Sequence, residues 1–321
     1  MKLFDLHCDT AGECCNRQRH ILDGDLHINL RKGEILDRWC QLFAIWIPDE
    51  LRGAQAEKYF EKVFLNFKNE INNNSEKIKL CKDLRDFNEA ANVGKCAAIL
   101  TCEGASPFAE NDGINCAHKY GVKLITLTWN GENEVGYGCQ SNCDFGLKPA
   151  GKRLLKNMER LNMVADVSHL NRAGFYDVAS SGIRFIATHS NCKSVLEKTR
   201  ANGNDKLFSC RRSLDDEQIK LLIERKGLIG INFCRSFLGD EGDDGFEAVY
   251  RHMQHILELG GEKCLAIGSD FDGCEINPTL AGIDKIPKLA EYLRQKGFSE
   301  SLTEKIFYDN SNNFFKNILQ S

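Results

Sequence analysis

The sequence predicts an α/β protein, a single (β/α)8 TIM barrel over residues 1–321. Three observations predict it. Eight short apolar runs alternate with stretches of helical periodicity. Most of the runs are apolar at successive positions, the pattern of parallel strands buried on both faces. Histidines and carboxylates stand where several of the runs stop, and that is the end of the strands at which such a barrel carries its active site. A doubly wound open sheet is the rival arrangement, but it requires no ring of polar residues at its strand ends.

Taken in order, the first run, Leu3–His7, breaks off in His7-Cys8-Asp9, and the second is Cys40–Ile47. Between it and the third run, Tyr59, Phe60, Val63, Phe64, Phe67 and Ile71 line one face of a helix. The third run, Cys96–Cys102, meets Glu103-Gly104, and the fourth, Lys123–Thr128, meets Trp129-Asn130. Met163–Ser168 ends at His169 and Arg184–Thr188 ends at His189. The segment Asn202-Gly203-Asn204-Asp205 reads as a loop insertion rather than a domain boundary. Asp215-Asp216-Glu217 suits a helix N-terminus, with Ile219, Leu222 and Ile223 as its apolar face, and the run Gly227–Phe233 follows. A stripe of Phe246, Val249, Met253, Ile256 and Leu257 stops at Gly260-Gly261, before the last run, Cys264–Ser269, which delivers Asp270.

Composition narrows the function. A hydrophobic fraction of 42% over 321 residues fills one large core or two ordinary ones. A formal charge of −4 gives no electrostatic case for nucleic acid. No apolar run approaches the ~20 residues of a membrane span, so no membrane anchor is expected. No signal peptide is expected either, because the first strand starts almost at Met1 and carries site residues. The fifteen cysteines are scattered through strands and helices, which suits reduced thiols and a cytoplasmic location. Cys14-Cys15 and Cys139 with Cys143 lack CxxC spacing and receive no role. Homodimerisation is left open by the sequence.

A histidine or carboxylate at the end of a buried strand is costly without a partner. Five such positions suggest that the partners are metal ions and one another. His7 and Asp9 are two apart, so on a regular strand both side chains face the same way and can chelate one ion, and imidazole with carboxylate suits zinc. Alone, the pair reads equally as a hydrogen-bonded core histidine. Glu103 has two oxygens and can bridge two metals, or pair with an arginine. His169 and His189 end consecutive strands, which are neighbours in a barrel, and can meet at one ion. Asp270 can take a proton from a metal-bound hydroxide and pass it to a leaving amine. Asp272 is expected to turn the chain.

Together His7-x-Asp9, Glu103-Gly104, Asp166-Val167-Ser168-His169, Thr188-His189-Ser190-Asn191 and Gly268-Ser269-Asp270-Phe271-Asp272-Gly273 resemble the membrane dipeptidase (renal dipeptidase) family. These are binuclear zinc peptidases of the amidohydrolase superfamily, and the chain is similar to their bacterial branch. The likeness extends over nearly the whole chain, through Leu214–Ile219 and Gly227–Phe233. It implies two divalent ions, Zn2+ in the first instance, with His7, Asp9 and Glu103 on one, and Glu103 bridging to a second held by His169 and His189. It implies a bridging hydroxide as nucleophile, Asp270 as proton shuttle, and Arg212 holding the carboxylate of a small dipeptide substrate. Arg211 is the adjacent competitor.

Two departures matter. Where animal members carry a substrate-contacting histidine after the fourth strand, this chain has Trp129-Asn130. Asn130 can donate to a developing oxyanion, a contact worth ~2.7–4 kcal/mol elsewhere, and Trp129 can wall the pocket. The stretch from His189 to Arg212 is also longer than is usual, and the added segment, around Asn202 to Phe208, is in a position to reshape the pocket or move Arg212. Of the other histidines, His20 and His118 read as surface residues, His27 as a candidate substrate contact, and His252 and His255 as packing or surface residues of an outer helix. The expectation is a zinc-dependent dipeptidase, with C-terminal D-residues among its substrates. The alternatives are another amidohydrolase reaction, such as N-acyl-amino-acid deacylation, and a non-catalytic metal-binding barrel.

Overall fold

The computed structural model describes residues 1–110, 113–199, 204–239 and 244–320. Nine strands run through it: β1 Lys2–Asp5, β2 Arg38–Trp46, β3 Ile78–Leu80, β4 Cys96–Glu103, β5 Leu124–Thr126, β6 Val164–Asp166, β7 Phe185–Ile186, β8 Ile229–Ile231 and β9 Leu265–Ile267. Eight of them form a parallel ring in the order β7-β6-β5-β4-β2-β1-β9-β8. Ala187, just past β7, bridges in parallel to Ile229 of β8 and closes it. This is the expected barrel. The strand not expected is β3, which pairs with the first part of β4 (Ile78↔Cys96, Leu80↔Ala98) on the edge that β5 takes over further along (Thr101↔Leu124). Ile78-Lys79-Leu80 is too short, and too divided by its lysine, to register as a run.

Residues two apart on each strand face the same side, and this separates the two cores. Phe4 and Leu6, Cys40 and Leu42, and Ala97 and Ile99 share the barrel interior with Leu124, Val164, Ile186, Leu228 and Ala266. The helix Asn310–Leu319 caps that interior from the N-terminal end of the strands: Phe315 belongs to the same buried cluster, its ring 5.3 Å from that of Phe4. With one end of the barrel packed shut, the opposite end is left for chemistry.

The outer helices follow their apolar faces. Gly53–Asn73 buries Ala56, Phe60, Val63, Phe64, Phe67 and Ile71. Asp215 caps the helix Asp216–Glu224 in a reciprocal capping box with Gln218. In Gly245–Glu258, His252 is fully buried; its Nδ1 accepts from the Cys192 amide at 3.1 Å and its Nε2 lies 3.2 Å from the Leu238 carbonyl. Its role is packing. The expected loop insertion needs correction. Asn202 and Gly203 lie outside the described residues, but Asn204 opens a helix, Asn204–Arg212. That sequence has too few apolar residues to display a helical stripe, so its period was invisible.

Backbones converge tightly near the open end. A Cβ added to Gly230 or Gly268 would lie 1.9 or 1.8 Å from the Thr188 carbonyl oxygen. Gly230→Ala is therefore expected to cost at least about 1–3 kcal/mol, the usual range for overpacking. The midpoint of denaturant unfolding reads this directly, and an unchanged midpoint would contradict so close an approach.

Candidate metal centre

The site residues emerge from different strands at one end of the barrel. His7 follows β1, Glu103 is the last residue of β4, and His169, His189 and Asp270 lie just past β6, β7 and β9. All five are buried. Glu103 stands in the middle. Its Oε1 is 2.8 Å from His169 Nε2 and 3.4 Å from His189 Nε2, and the two ring nitrogens are 2.9 Å apart. Its Oε2 faces the other way, 3.8 Å from His7 Nε2, which is itself 3.3 Å from Asp9 Oδ2. Metal–nitrogen bonds of ~2.0–2.1 Å in a tetrahedral site imply ligand–ligand edges of about 3.3 Å. The residues fit two divalent cations: the distances within the two sets, 2.8–3.8 Å, bracket this edge, and Asp9 Oδ1 is buried with no hydrogen-bond partner.

The electrostatics suit the same use. Burial, with the positive charges of Arg212 and His7 nearby, pushes His169 and His189 well below the usual histidine range, so both rings are neutral and offer lone pairs. Burial also opposes a charge on His7, but Asp9, Glu103 and Asp270 outweigh it and push that ring up to about 10. Burial raises Glu103 and Asp270 above the usual carboxylate range, with His7 partly offsetting it in both.

A further set of residues aims the ligands. His169 Nδ1 is 2.7 Å from Asn130 Oδ1. His189 Nδ1 is 2.7 Å from Thr188 Oγ1, and that hydroxyl donates to Asp166 Oδ2 at 2.6 Å. Asp166 also accepts from the Thr126 hydroxyl and from the amides of Ser168 and Thr188. With Nδ1–H of each ring donating, each Nε2 is left as the metal-facing atom. Asp270 is fixed through Oδ2, which accepts from Asn232 Nδ2 at 2.9 Å, while its Oδ1 lies 3.8 Å from His7 Nε2. His169 (φ 67°), Asp270 (φ 60°) and Asp272 (φ 67°) all occupy left-handed backbone, at a cost of about 1–3 kcal/mol each.

The sequence reasoning missed Asp166, Thr188 and Asn232 as working residues. Asp166 inside an apolar strand and Asn232 just past β8 both obey the rule that singled out the candidate ligands: a buried polar group needs a partner. Asn130 has its oxygen on His169 Nδ1, which leaves its Nδ2 free to make the donation expected of it. Asp272 does turn the chain, and it also accepts from the His27 and Ile28 amides and the Thr10 hydroxyl, pinning the segment after β1 across the opening. The His27 ring receives the Asp272 N–H and lines the cavity.

That cavity, of about 600 Å3, exposes Asp9, Glu103, His169 and Asp270 and is walled by Trp46, Trp129 and Phe237, with Trp46 edge-on to Trp129 at 5.0 Å. Arg211 is exposed, whereas Arg212 is only 4% exposed. The Arg212 Nη1 donates to Ser190 Oγ and its Nη2 to the His189 carbonyl, both at 2.9 Å, and its Nε is buried without a partner. Its guanidinium lies over the ring of Phe237, 5.5 Å from the centroid.

The family model described as membrane dipeptidase, peptidase family M19, matches residues 1–320. Dipeptidase verJ of Clonostachys rogersoniana is 30% identical over 233 residues, 70% of this chain and 56% of its own length, so the match spans little more than half of that relative. Two crystal structures superpose on the whole chain. One is the dipeptidase AC, a metallopeptidase of family M19, at 26% identity and a TM-score of 0.88 over 99% of its length. The other is a metallopeptidase from Rhodobacter sphaeroides liganded with a phosphinate mimic of L-Ala-D-Ala, at 26% identity and a TM-score of 0.86 over 99% of its length.

Two outcomes follow from the geometry. Thr188→Val removes the link between His189 and Asp166 at nearly constant volume, and metal affinity is expected to fall ~10–100-fold in competition with a chromophoric chelator. A metal placed at His7 must displace the proton that this ring holds up to about pH 10, so uptake near neutral pH releases protons and tightens as pH rises. Calorimetry in buffers of different ionisation enthalpy measures this. The stability of the metal-free protein carries both signs. The His7 contribution is complete below the ordinary value of 6.5 and is lost as pH rises towards about 10, whereas that of His169 and His189 is lost as pH falls below 6.5.

Proposed function

The chain belongs to the membrane dipeptidase family, and on that premise we propose that it hydrolyses the peptide bond of dipeptides at the barrel mouth, with two divalent metal ions, zinc first among them. The observation that carries this reading is Glu103, a buried carboxylate whose two oxygens face two separate ligand sets, His169 with His189 and His7 with Asp9. Two bound cations supply Lewis acidity to the scissile carbonyl and lower the pKa of water towards ~7.

The chain's own residues supply the remainder. Asp270 is held by Asn232 through one oxygen and presents the other to the centre, where it takes a proton and hands it to the leaving amine. Burial raises its affinity for that proton. Arg212 binds the terminal carboxylate of the substrate; its burial beside His189 and its unpartnered Nε support this role over Arg211. Trp46, Trp129 and Phe237 give the cavity an apolar wall for side chains, and Asn130 Nδ2 is the amide available to the carbonyl oxygen. The L-Ala-D-Ala mimic in the Rhodobacter sphaeroides structure supports acceptance of a C-terminal D-residue. Fifteen unpaired cysteines suit a reducing, cytoplasmic setting.

The metal-loaded protein is expected to release free alanine from L-Ala-D-Ala and to leave N-acetyl-D-alanine intact. Failure on the first overturns the reading, and turnover of the second makes it an N-acyl-amino-acid deacylase. Asp270→Asn is expected to lower kcat by ~10²–10⁴ with metal content unchanged. Elemental analysis alongside the kinetics separates loss of proton transfer from loss of metal.

A further inference from the structure

The high cysteine count has no part in the hydrolytic site, and all fifteen thiols are unpaired. Two of them are placed unlike the rest. Cys234, just past β8, and Cys274, in the segment after Asp270, both line the catalytic cavity. Their backbones are tied together, because Cys234 pairs with Ile276 in an antiparallel bridge and the Arg235 amide donates to the Glu275 carbonyl at 3.1 Å. Their side chains interact with each other. Cys274 Sγ also donates to the main-chain carbonyl of Asp270 at 3.5 Å, and Cys234 Sγ lies 3.3 Å from Ser236 Oγ.

We propose that Cys234 and Cys274 are a peroxide-reactive dithiol in the wall of the catalytic cavity, which closes to a disulfide and thereby slows hydrolysis reversibly. Cys234 is the attacking sulfur: its interaction with Cys274 holds its thiol below the usual cysteine range, whereas most of the buried cysteines are pushed up by burial. Its thiolate attacks one oxygen of hydrogen peroxide. An S–O bond forms, the O–O bond breaks, and the departing hydroxide leaves as water with the proton that Cys234 gave up. The Cys274 sulfur then attacks the resulting sulfenic acid. The S–S bond forms, the S–O bond breaks, and the hydroxyl leaves as a second water with the Cys274 proton. In sum, two thiols are oxidised by two electrons, and one peroxide is reduced to two waters.

The effect on hydrolysis rests on the role of Asp270 proposed above. In the reduced protein its carbonyl accepts from the Cys274 thiol and the Gly273 amide, at a residue with φ 60°. A disulfide removes the thiol proton from that contact and draws the segment carrying Asp270 towards β8. The cross-link itself is independent of that role and can be detected whether or not the protein turns over dipeptides.

The test treats the zinc-loaded full chain with hydrogen peroxide, blocks residual thiols, and maps the peptides. The expected result is a linked Cys234–Cys274 peptide two hydrogens lighter than its parts, formed ahead of any other cysteine product. It is accompanied by a loss of dipeptidase activity of at least about fivefold that dithiothreitol reverses. Cys234→Ser and Cys274→Ser, each compared with its own untreated sample, are expected to keep their activity through the same exposure. Separate sulfinic acids on the two residues, with no linked peptide, overturn the dithiol. A linked peptide at unchanged activity, or equal inactivation of Cys234→Ser, overturns the switch.

Discussion

The architecture of the open end depends on one constraint: a carboxylate, Glu103, is buried at the centre of a barrel with three imidazoles around it. Such a group is costly to remove from water unless charge of the opposite sign surrounds it. The Nε2 atoms of His169 and His189 approach to 2.9 Å, and burial keeps both rings neutral. Two lone pairs directed at one point beside a carboxylate oxygen are stable when a cation occupies that point. His7 and Asp9 repeat the arrangement on the other oxygen, where a proton on His7 stands in for the missing charge. The arrangement is thus one that positive charge at either oxygen of Glu103 stabilises.

Holding that geometry requires a rigid surround. Asp166 takes four hydrogen bonds, from side chains and amides at the ends of β5, β6 and the segment after β7. It therefore welds three strand ends together as well as orienting His189 through Thr188. Asn232 does the corresponding work for Asp270: its side-chain oxygen accepts from the Cys234 amide and its own amide donates to Asn191. The left-handed backbone at His169, Asp270 and Asp272 shows the same priority. Histidine and aspartate tolerate that region better than branched residues do, and here it turns side chains inward that a regular strand would carry past the centre.

Much of this was legible in the sequence. The apolar runs located the eight strands of the ring, because strands buried on both faces leave a continuous hydrophobic trace. Their polar endings located the residues that meet at the barrel mouth, because buried polar groups without partners are rare. Three things were illegible, each for a physical reason. β3 is three residues long and sits on an edge that another strand also uses. The helix Asn204–Arg212 has no apolar stripe to reveal its period. Which of Arg211 and Arg212 is buried beside His189 depends on the side of that helix that faces it, a tertiary fact. Asn130 has a use the sequence does not show, holding a neighbouring imidazole through its oxygen, and only the distance to His169 reveals it.

The closing of the barrel interior by Asn310–Leu319 bears on how the chain is made. β1 pairs with β9, and Phe4 packs on Phe315, so the first strand is completed by partners near the other end of the sequence. At ribosomal rates of about 5–20 residues per second, some 13–53 s separate the emergence of His7 from that of its neighbours around Asp270. During that interval His7 and Asp9 lack the later residues that surround them in the barrel mouth. The two ends of the sequence therefore close the barrel together, and its mouth is assembled only after β9 and the last helix are made.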